Sequence, residues 1–291
     1  MTSLLVFGAN GQLARSIAQA AEEVSIECER VGRDRLDLLA ETNLDERLDA
    51  VLAGKSSFRL VINAAAYTQV DRAESEQAQA YQLNTTAAGA ISSACERAGL
   101  PIVHISTDFV FSGPRNTPWS ETDITAPLGV YGTTKLAGET AVARANPRHL
   151  IIRTAWLLSE FPGNFLTTML RLGTQRTSLS VVNDQVGSPT STHELARTLV
   201  SLAQMSEDDC PPWGVYHFAG PDTMSWAELA RRIFQRAGLD TPVQDIVAAD
   251  YGAPAPRPAF SALDSGKLQR ATGLSHRPVD VVLDEILQRR D

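Results

Sequence analysis

Tyr131 and Lys135 stand four residues apart in VYGTTKLAGE, residues 130–139. On a helix that spacing puts both side chains on one face, about one turn apart. An ammonium held near a phenol favours the phenolate and lowers a pKa that starts at about 10, so the pair predicts a tyrosine able to exchange a proton near neutral pH. Such pairs also arise by chance on exposed helices, so the chemistry needs partners. One is offered by PIVHISTDFVF, residues 101–111, an apolar run that ends in Ser106, Thr107 and Asp108. Two hydroxyls and a carboxylate at the mouth of a buried strand must each find a partner or cost free energy.

A third stretch, GANGQLA at residues 8–14, directly follows the first apolar run and opens the first helical pattern. In that context it reads as the glycine turn of a dinucleotide site. Gly8 permits the tight turn, Gly11 lets a pyrophosphate approach the backbone, and the small Ala14 packs helix against strand. Asn10, Gln12 and Leu13 fall within the same expected cofactor contact, and an ordinary strand-to-helix turn is the alternative. INAAA, residues 62–66, ends a strand in small residues, so Asn63, Ala64 and Ala65 are further cofactor candidates, although core packing explains the alanines as well. After Val31 come Gly32, Arg33, Asp34 and Arg35. An acidic residue at this place holds the ribose 2′-hydroxyl of NAD, whereas an arginine accommodates NADP. Arg33 therefore points to NADPH, with NADH still open and a solvated loop charge as its other reading.

Stepping along the chain, short apolar runs alternate with helical patterns, which predicts an α/β fold: a doubly wound parallel sheet, covered on both faces, of Rossmann-like type. Residues 1–155 are expected to form the dinucleotide-binding domain. Residues 156–291 form mainly a smaller substrate domain, with a strand and helix near 178–205 returning to the first. Asn43 with Glu46 reads as a capping box for a helix that ends near Gly54, and one long helix is expected from about Glu74 to Ala98. Ser225 with Glu228 opens a capped helix that Gly238 closes, and AADYGAPAPRPAF reads as a loop too punctuated for regular structure. Ligands of such a sheet sit at its C-terminal edge.

Composition narrows the partners. A net charge of -8 among 291 residues argues against nucleic acid and membrane surfaces, which are recognised through basic patches. Cys28, Cys95 and Cys210 are far apart, with no CxxC or His pairing, so neither a disulfide framework nor a metal site is expected, and a reducing cytoplasm is the simplest reading. TSLLVFGANG reads as a first strand and not a signal peptide, and no run is long enough to span a membrane.

Taken together, the glycine turn, Thr107 and the Tyr131–Lys135 pair resemble the short-chain dehydrogenase/reductase superfamily in its extended form. More narrowly, GANGQLA, INAAAYTQVDRAE, STDFVFSG, PLGVYGTTKLAGE, RTAWLL, VVNDQVGSPTS and RPAFSALDSGKL are similar, in order along the whole chain, to the RmlD-type dTDP-4-dehydrorhamnose reductase family. The resemblance implies NAD(P)H-dependent reduction of the C4 ketone of dTDP-4-dehydro-L-rhamnose. By it Tyr131 is the proton donor, Thr107 orients the substrate oxygen, and Lys135 holds the nicotinamide ribose. Asp108, Trp156, Asn164 and Arg257 map onto residues that bind the sugar nucleotide. Trp156 would offer an apolar face to the deoxysugar or simply fill the core, and Arg257 would grip diphosphate or lie as a surface charge. Asn84 matches an asparagine that supports the lysine through water, with capping or solvent exposure as alternatives.

Three departures from the family pattern matter. Phe109 replaces the dehydratases' glutamate and also the reductases' usual tyrosine, which disfavours water elimination and removes a phenolic hydrogen bond near the sugar. Ser16 and His193 stand where some members carry carboxylates for an intersubunit Mg2+, so that metal is doubtful here, and a monomer and a homodimer both stay open. The rival readings are a reductase or epimerase of another nucleotide sugar, and a non-catalytic NADP-binding regulatory subunit.

Overall fold

A computed structural model describes residues 3–40, 42–53, 58–206 and 209–290. Six apolar runs make one parallel sheet: β1 (Ser3–Phe7), β2 (Glu27–Val31), β3 (Phe58–Asn63), β4 (Ile102–Thr107), β5 (His149–Thr154) and β6 (Gly214–Phe218). Their spatial order is β6-β5-β4-β3-β1-β2. From β1 the chain moves outward to β2, then crosses back to β3 and continues the other way. The reversal lies between β1 and β3, and it opens a crevice at the strands' C-terminal ends where the glycine turn sits.

Period-two alternation divides the strand residues between two cores. Leu5, Phe7, Val61, Ile102 and Ile151 face one, and Leu4, Val6, Ile62, Val103 and Ile152 face the other. The eight longer helices are α1 (Gln12–Glu23), α2 (Leu44–Leu52), α3 (Ala87–Arg97), α4 (Val130–Ala145), α5 (Phe165–Gly173), α6 (Thr192–Gln204), α7 (Trp226–Arg236) and α8 (Val279–Gln288). Helices α2, α3 and α4 cover the first face, through Leu48, Ile91 and Val142 among others, while α1 and α6 cover the second through Ile17, Leu195 and Leu199. A separate core of Leu166, Met169, Leu229, Ile233, Val282 and Leu283 joins α5, α7 and α8.

The same alternation has a functional result. Because Ile102 faces the first core, His104 and Ser106 of β4 face it too, as does Arg153 two residues after Ile151 on β5. All three are buried polar groups directed at the helix that carries Tyr131 and Lys135.

Several expectations need correction. The strand Leu179–Val182 does not rejoin the large sheet; it pairs in parallel with Val243–Ile246, and the returning strand is β6, which pairs with β5. Only α6 returns, packed on α1. The helix expected from Glu74 starts at Gln77 and widens into a π turn over Gln82–Thr86 before α3. That turn buries the Asn84 side chain, whose Oδ1 accepts from the Tyr67 N–H at 2.8 Å and whose Nδ2 donates to Thr134 Oγ1 at 3.0 Å. Asn84 therefore does not face solvent; it ties the π turn to α4. Asn43 begins α2 without a side-chain cap, since its backbone, with ψ of 51, is not extended as a capping residue's is. Gly54, expected to close that helix, lies outside the described residues. One turn of helix, Ala248–Tyr251, interrupts the Pro-rich loop and ends at Gly252 in the left-handed region. The Ser225 cap forms as read, with its Oγ accepting from the Glu228 N–H at 3.1 Å.

Candidate active site

The glycine turn is built around a close approach. Gly8 has φ of +105, and a Cβ there would lie 2.9 Å from the Ala65 nitrogen and 3.0 Å from the Ala64 carbonyl carbon. Both the conformation and the space demand glycine. The Gly8 N–H donates to the Val31 carbonyl and the Ala64 N–H to the Phe7 carbonyl, so the ends of β1, β2 and β3 are stitched together beneath the turn. Gly8→Ala is accordingly expected to destabilise the protein by about 2 kcal/mol or more, from the left-handed backbone and the clash together, read as a lower thermal midpoint.

Gly11 differs. Its φ is -68, and the nearest atom a Cβ would meet is the Gly8 carbonyl oxygen at 3.8 Å. Nothing within the fold calls for glycine there, which fits a backbone that must stay open to a close ligand. The first N–H groups of α1, from Gln12 and Leu13, have no helical carbonyl behind them, and no acidic residue stands in that turn. The Leu13 side chain is core, so only its backbone can meet a cofactor. The Gln12 side chain is engaged by Ser159 and Asn164 at its Oε1. Asn10 and Arg33 are exposed at the crevice. Asn63 is buried, and its Oδ1 accepts from the Ala65 N–H at 3.1 Å, shaping the loop that lies against Gly8.

At the mouth of β4, Thr107 Oγ1 donates to Asp108 Oδ1 at 3.0 Å and accepts from the Phe109 N–H, and its hydroxyl lies on the side of the Tyr131 phenol. Burial pushes Asp108 up to about 6, against the opposing pull of the Ser261 and Thr107 hydroxyls and nearby N–H groups. Its Oδ2 is buried with no partner among the described residues. A carboxylate oxygen in that condition is an acceptor in want of a donor. Tyr131 is half-buried, with its ring edge-on to Phe109. Burial pushes its phenol up to about 12; the Thr107 bond works downward and the Asp108 charge upward.

The expected lowering of the phenol by Lys135 is therefore not what the structure shows. Lys135 is buried, and its ammonium donates to the Ile105 carbonyl at 2.6 Å and lies 3.4 Å from His104 Nε2, so strand β4 engages it and the phenol does not. Burial brings the lysine down to about 8, with Glu139 opposing. A protonated phenol is the state that a proton donor needs.

Ser106 finds its partner in Glu139, one turn beyond Lys135 on α4. The carboxylate accepts from the Ser106 hydroxyl and pairs with Arg153 through two bonds of 2.9 and 2.7 Å. Sequence reading missed this pair, although a polar residue at every second position of an otherwise apolar strand was its trace.

The proposed sugar contacts are arranged differently from expectation. Trp156 has φ of +42, a strained value for a residue with a side chain. Its indole stacks on Trp226 at 3.3 Å, and a Cβ on Gly187 would stand 2.4 Å from Cε2. One indole face is thus covered by Trp226, and Gly187 comes close to the Cε2–Nε1 side of the ring. Asn164 is taken up by structure: it caps α5 by accepting from the Thr167 N–H and donates to the Ser159 and Phe161 carbonyls. Arg257 is held by Asp71, with bonds of 2.9 Å to each carboxylate oxygen, and this pairing keeps Asp71 below the usual carboxylate range. Asp71 and Trp226, both unnoticed in the sequence, are thereby attached to the site. Ser16 bonds Thr192 Oγ1 at 2.7 Å, and His193 meets Glu160 at 2.7 Å. Among the described residues no group of three His, Cys, Asp or Glu side chains converges as a metal site.

The family described as RmlD substrate binding domain matches residues 1–291. The dTDP-4-dehydrorhamnose reductase of Sinorhizobium fredii is 38% identical over 278 residues, covering 93% of this chain and 92% of that protein. The Salmonella typhimurium protein of the same name is 42% identical over 217 residues, 72% of this chain and 73% of that one. Among solved structures, dTDP-4-dehydrorhamnose reductase from Clostridium acetobutylicum has a TM-score of 0.90 at 34% identity, over 99% of each chain. The Bacillus anthracis reductase in complex with NADP also has a TM-score of 0.90, at 31% identity over 99% of each chain.

Proposed function

The chain belongs to the RmlD substrate binding domain family, and from that premise we propose that it reduces the C4 ketone of dTDP-4-dehydro-L-rhamnose to dTDP-L-rhamnose, with NADPH as the electron source. The observation that supports this reading best is the half-buried Tyr131 set beside Thr107 at the mouth of β4, on the same sheet edge as the glycine turn, with burial holding its phenol up at about 12. When bound, the reduced nicotinamide supplies the hydride to the carbonyl carbon. Thr107 orients the carbonyl oxygen, and Tyr131 donates its proton as negative charge develops there. One hydride and one proton turn the ketone into the alcohol, and the phenolate left behind regains its proton from solvent.

Gly8, Asn10, Gly11, the backbone of Gln12 and Leu13, Arg33, Ala64 and Ala65 frame the dinucleotide in this reading, with Lys135 at the ribose. Asp108 Oδ2 accepts from a sugar hydroxyl, the Trp156 edge borders the deoxysugar, and Arg257 reaches the diphosphate by exchanging Asp71 for it. Residues 1–155 then serve the cofactor and residues 156–291 mainly the sugar nucleotide. No helix among the described residues is long and apolar enough to cross a membrane. A cytoplasmic site of action is part of the proposal.

The test is NADPH consumption, followed by its near-ultraviolet absorbance, with dTDP-4-dehydro-L-rhamnose run beside UDP- and GDP-linked 4-ketosugars and beside NADH. Turnover that favours the dTDP sugar supports the proposal. Equal or better turnover of another nucleotide sugar, or none with any, overturns it. A pH profile adds a second check. With Asp108 at about 6, the carboxylate is charged above that pH and protonated below it. kcat/KM is therefore expected to fall as pH drops through about 6. Asp108→Asn should flatten that limb and cost roughly 10- to 100-fold in kcat/KM, as for a lost charge-assisted hydrogen bond.

A further inference from the structure

We propose that His104 is a positioning residue for Lys135: its proton is fixed on Nε2 by Asn63, so that an N–H, and not a lone pair, faces the lysine nitrogen. The argument begins at the cofactor loop. Asn63 Oδ1 accepts from the Ala65 N–H at 3.1 Å, which fixes the amide's orientation and leaves Nδ2 as the atom 3.1 Å from His104 Nδ1. An amide nitrogen only donates, so Nδ1 must accept, and a neutral imidazole that accepts at Nδ1 carries its proton at Nε2. The ring is neutral because it is buried beside an ammonium, which holds its pKa well below the usual histidine range. Nε2 lies 3.4 Å from Lys135 Nζ.

The consequence concerns which form of lysine the site tolerates. An ammonium has no lone pair to accept the Nε2 proton, whereas a neutral amine does. The other partner, the Ile105 carbonyl, accepts from either form. Around Lys135 the charged and titratable groups are His104 on β4, Glu139 on its own helix with Arg153 from β5, and Asp108 and Tyr131 at the strand mouth. Of these, Glu139 favours the ammonium, while its carboxylate is also paired with Arg153. His104 thus sets Lys135 between its two forms and connects that balance to the Ala64–Ala65 loop packed on Gly8.

The first experiment needs no substrate. In protein labelled with 15N-histidine, the five histidines are assigned by substitution, and the His104 ring nitrogens are followed from about pH 5 to about pH 9. The expected result is a pyrrole-type Nε2 throughout, whose shift inflects as Lys135 loses its proton and stops doing so in Lys135→Met. A pyrrole-type Nδ1, a charged ring, or no inflection overturns the proposal.

The kinetic arm rests on the reductase reading. In Asn63→Asp the carboxylate can only accept, so the His104 proton moves to Nδ1 and Nε2 now accepts from the ammonium. The alkaline limb of kcat is expected to move up by roughly one pH unit. In Asn63→Asp/His104→Phe that gain should vanish. An unmoved limb in the single variant, or the same gain in the double, overturns the idea by showing that the carboxylate's charge alone acts. Absence of turnover in the unaltered protein sinks the reductase reading and leaves the spectroscopic result standing.

Discussion

Tyr131→Phe is expected to lower kcat with the ketosugar by about 10²- to 10⁴-fold, the usual worth of a positioned general acid. The loss should fall on turnover and not on cofactor affinity, because the groups that act on the phenol are Thr107 and Asp108 and not the glycine turn. NADPH binding, followed by fluorescence, is the control. A phenol held at about 12 keeps its proton through the whole working range, so the acid is already charged with the proton it gives. Thr107→Val tests the same unit from the other side. It removes the hydroxyl that acts on the phenol and frees the Phe109 N–H, so it too should reduce kcat. The two losses should add up to less than their sum in the double variant, since residues acting as one unit are not additive. Full turnover in Tyr131→Phe would remove the tyrosine from the reaction.

The parts of the site that were legible in the sequence are those whose residues are close together along the chain. The glycine turn, the Tyr131–Lys135 spacing and the polar end of β4 each fit within one stretch, and each lies on the expected element. What the sequence could not show is how stretches meet. Arg257 and Asp71 lie 186 residues apart, and their pairing depends on how the Pro-rich loop passes the helical turn Val70–Ala73. The Trp156–Trp226 stack likewise joins the end of β5 to the start of α7, and it takes up one face of the indole. Lys135 is an intermediate case. Its spacing from Tyr131 is local, but its partners are chosen by the alternation of β4, which sends His104 and Ser106 toward α4. The fold was legible because burial periodicity is local. The fate of the short run at 179–182 was not, since such a strand fits either the large sheet or a small one.

That alternation also locates the largest expected effect on stability. Glu139 and Arg153 are both buried, their side chains 5% and 6% exposed, and they form a bidentate pair that pins α4 to β5. Ser106 adds a third contact, and Arg153 extends to His217 at 3.5 Å, whose Nδ1 meets the Trp119 carbonyl at 3.0 Å. Removing one partner leaves a charge in a place where water cannot reach it, which costs more than the pair itself is worth. Glu139→Ala is expected to destabilise the protein by about 3–5 kcal/mol, lowering the thermal midpoint by on the order of 10 °C. Arg153→Met should do the same from the other end. The double variant Glu139→Leu/Arg153→Met, which removes both charges and fills the volume, should recover much of the loss. Recovery of stability separates two roles that the single variants confuse. If α4 only needs to be held against β5, the double variant regains its turnover along with its melting temperature. If the Glu139 carboxylate also sustains the Lys135 ammonium, which it opposes burial to favour, stability returns while the alkaline limb of kcat moves to lower pH. The second outcome is the expected one. Among the described residues Glu139 is the group that raises Lys135 against its burial, and its loss leaves the lysine easier to deprotonate.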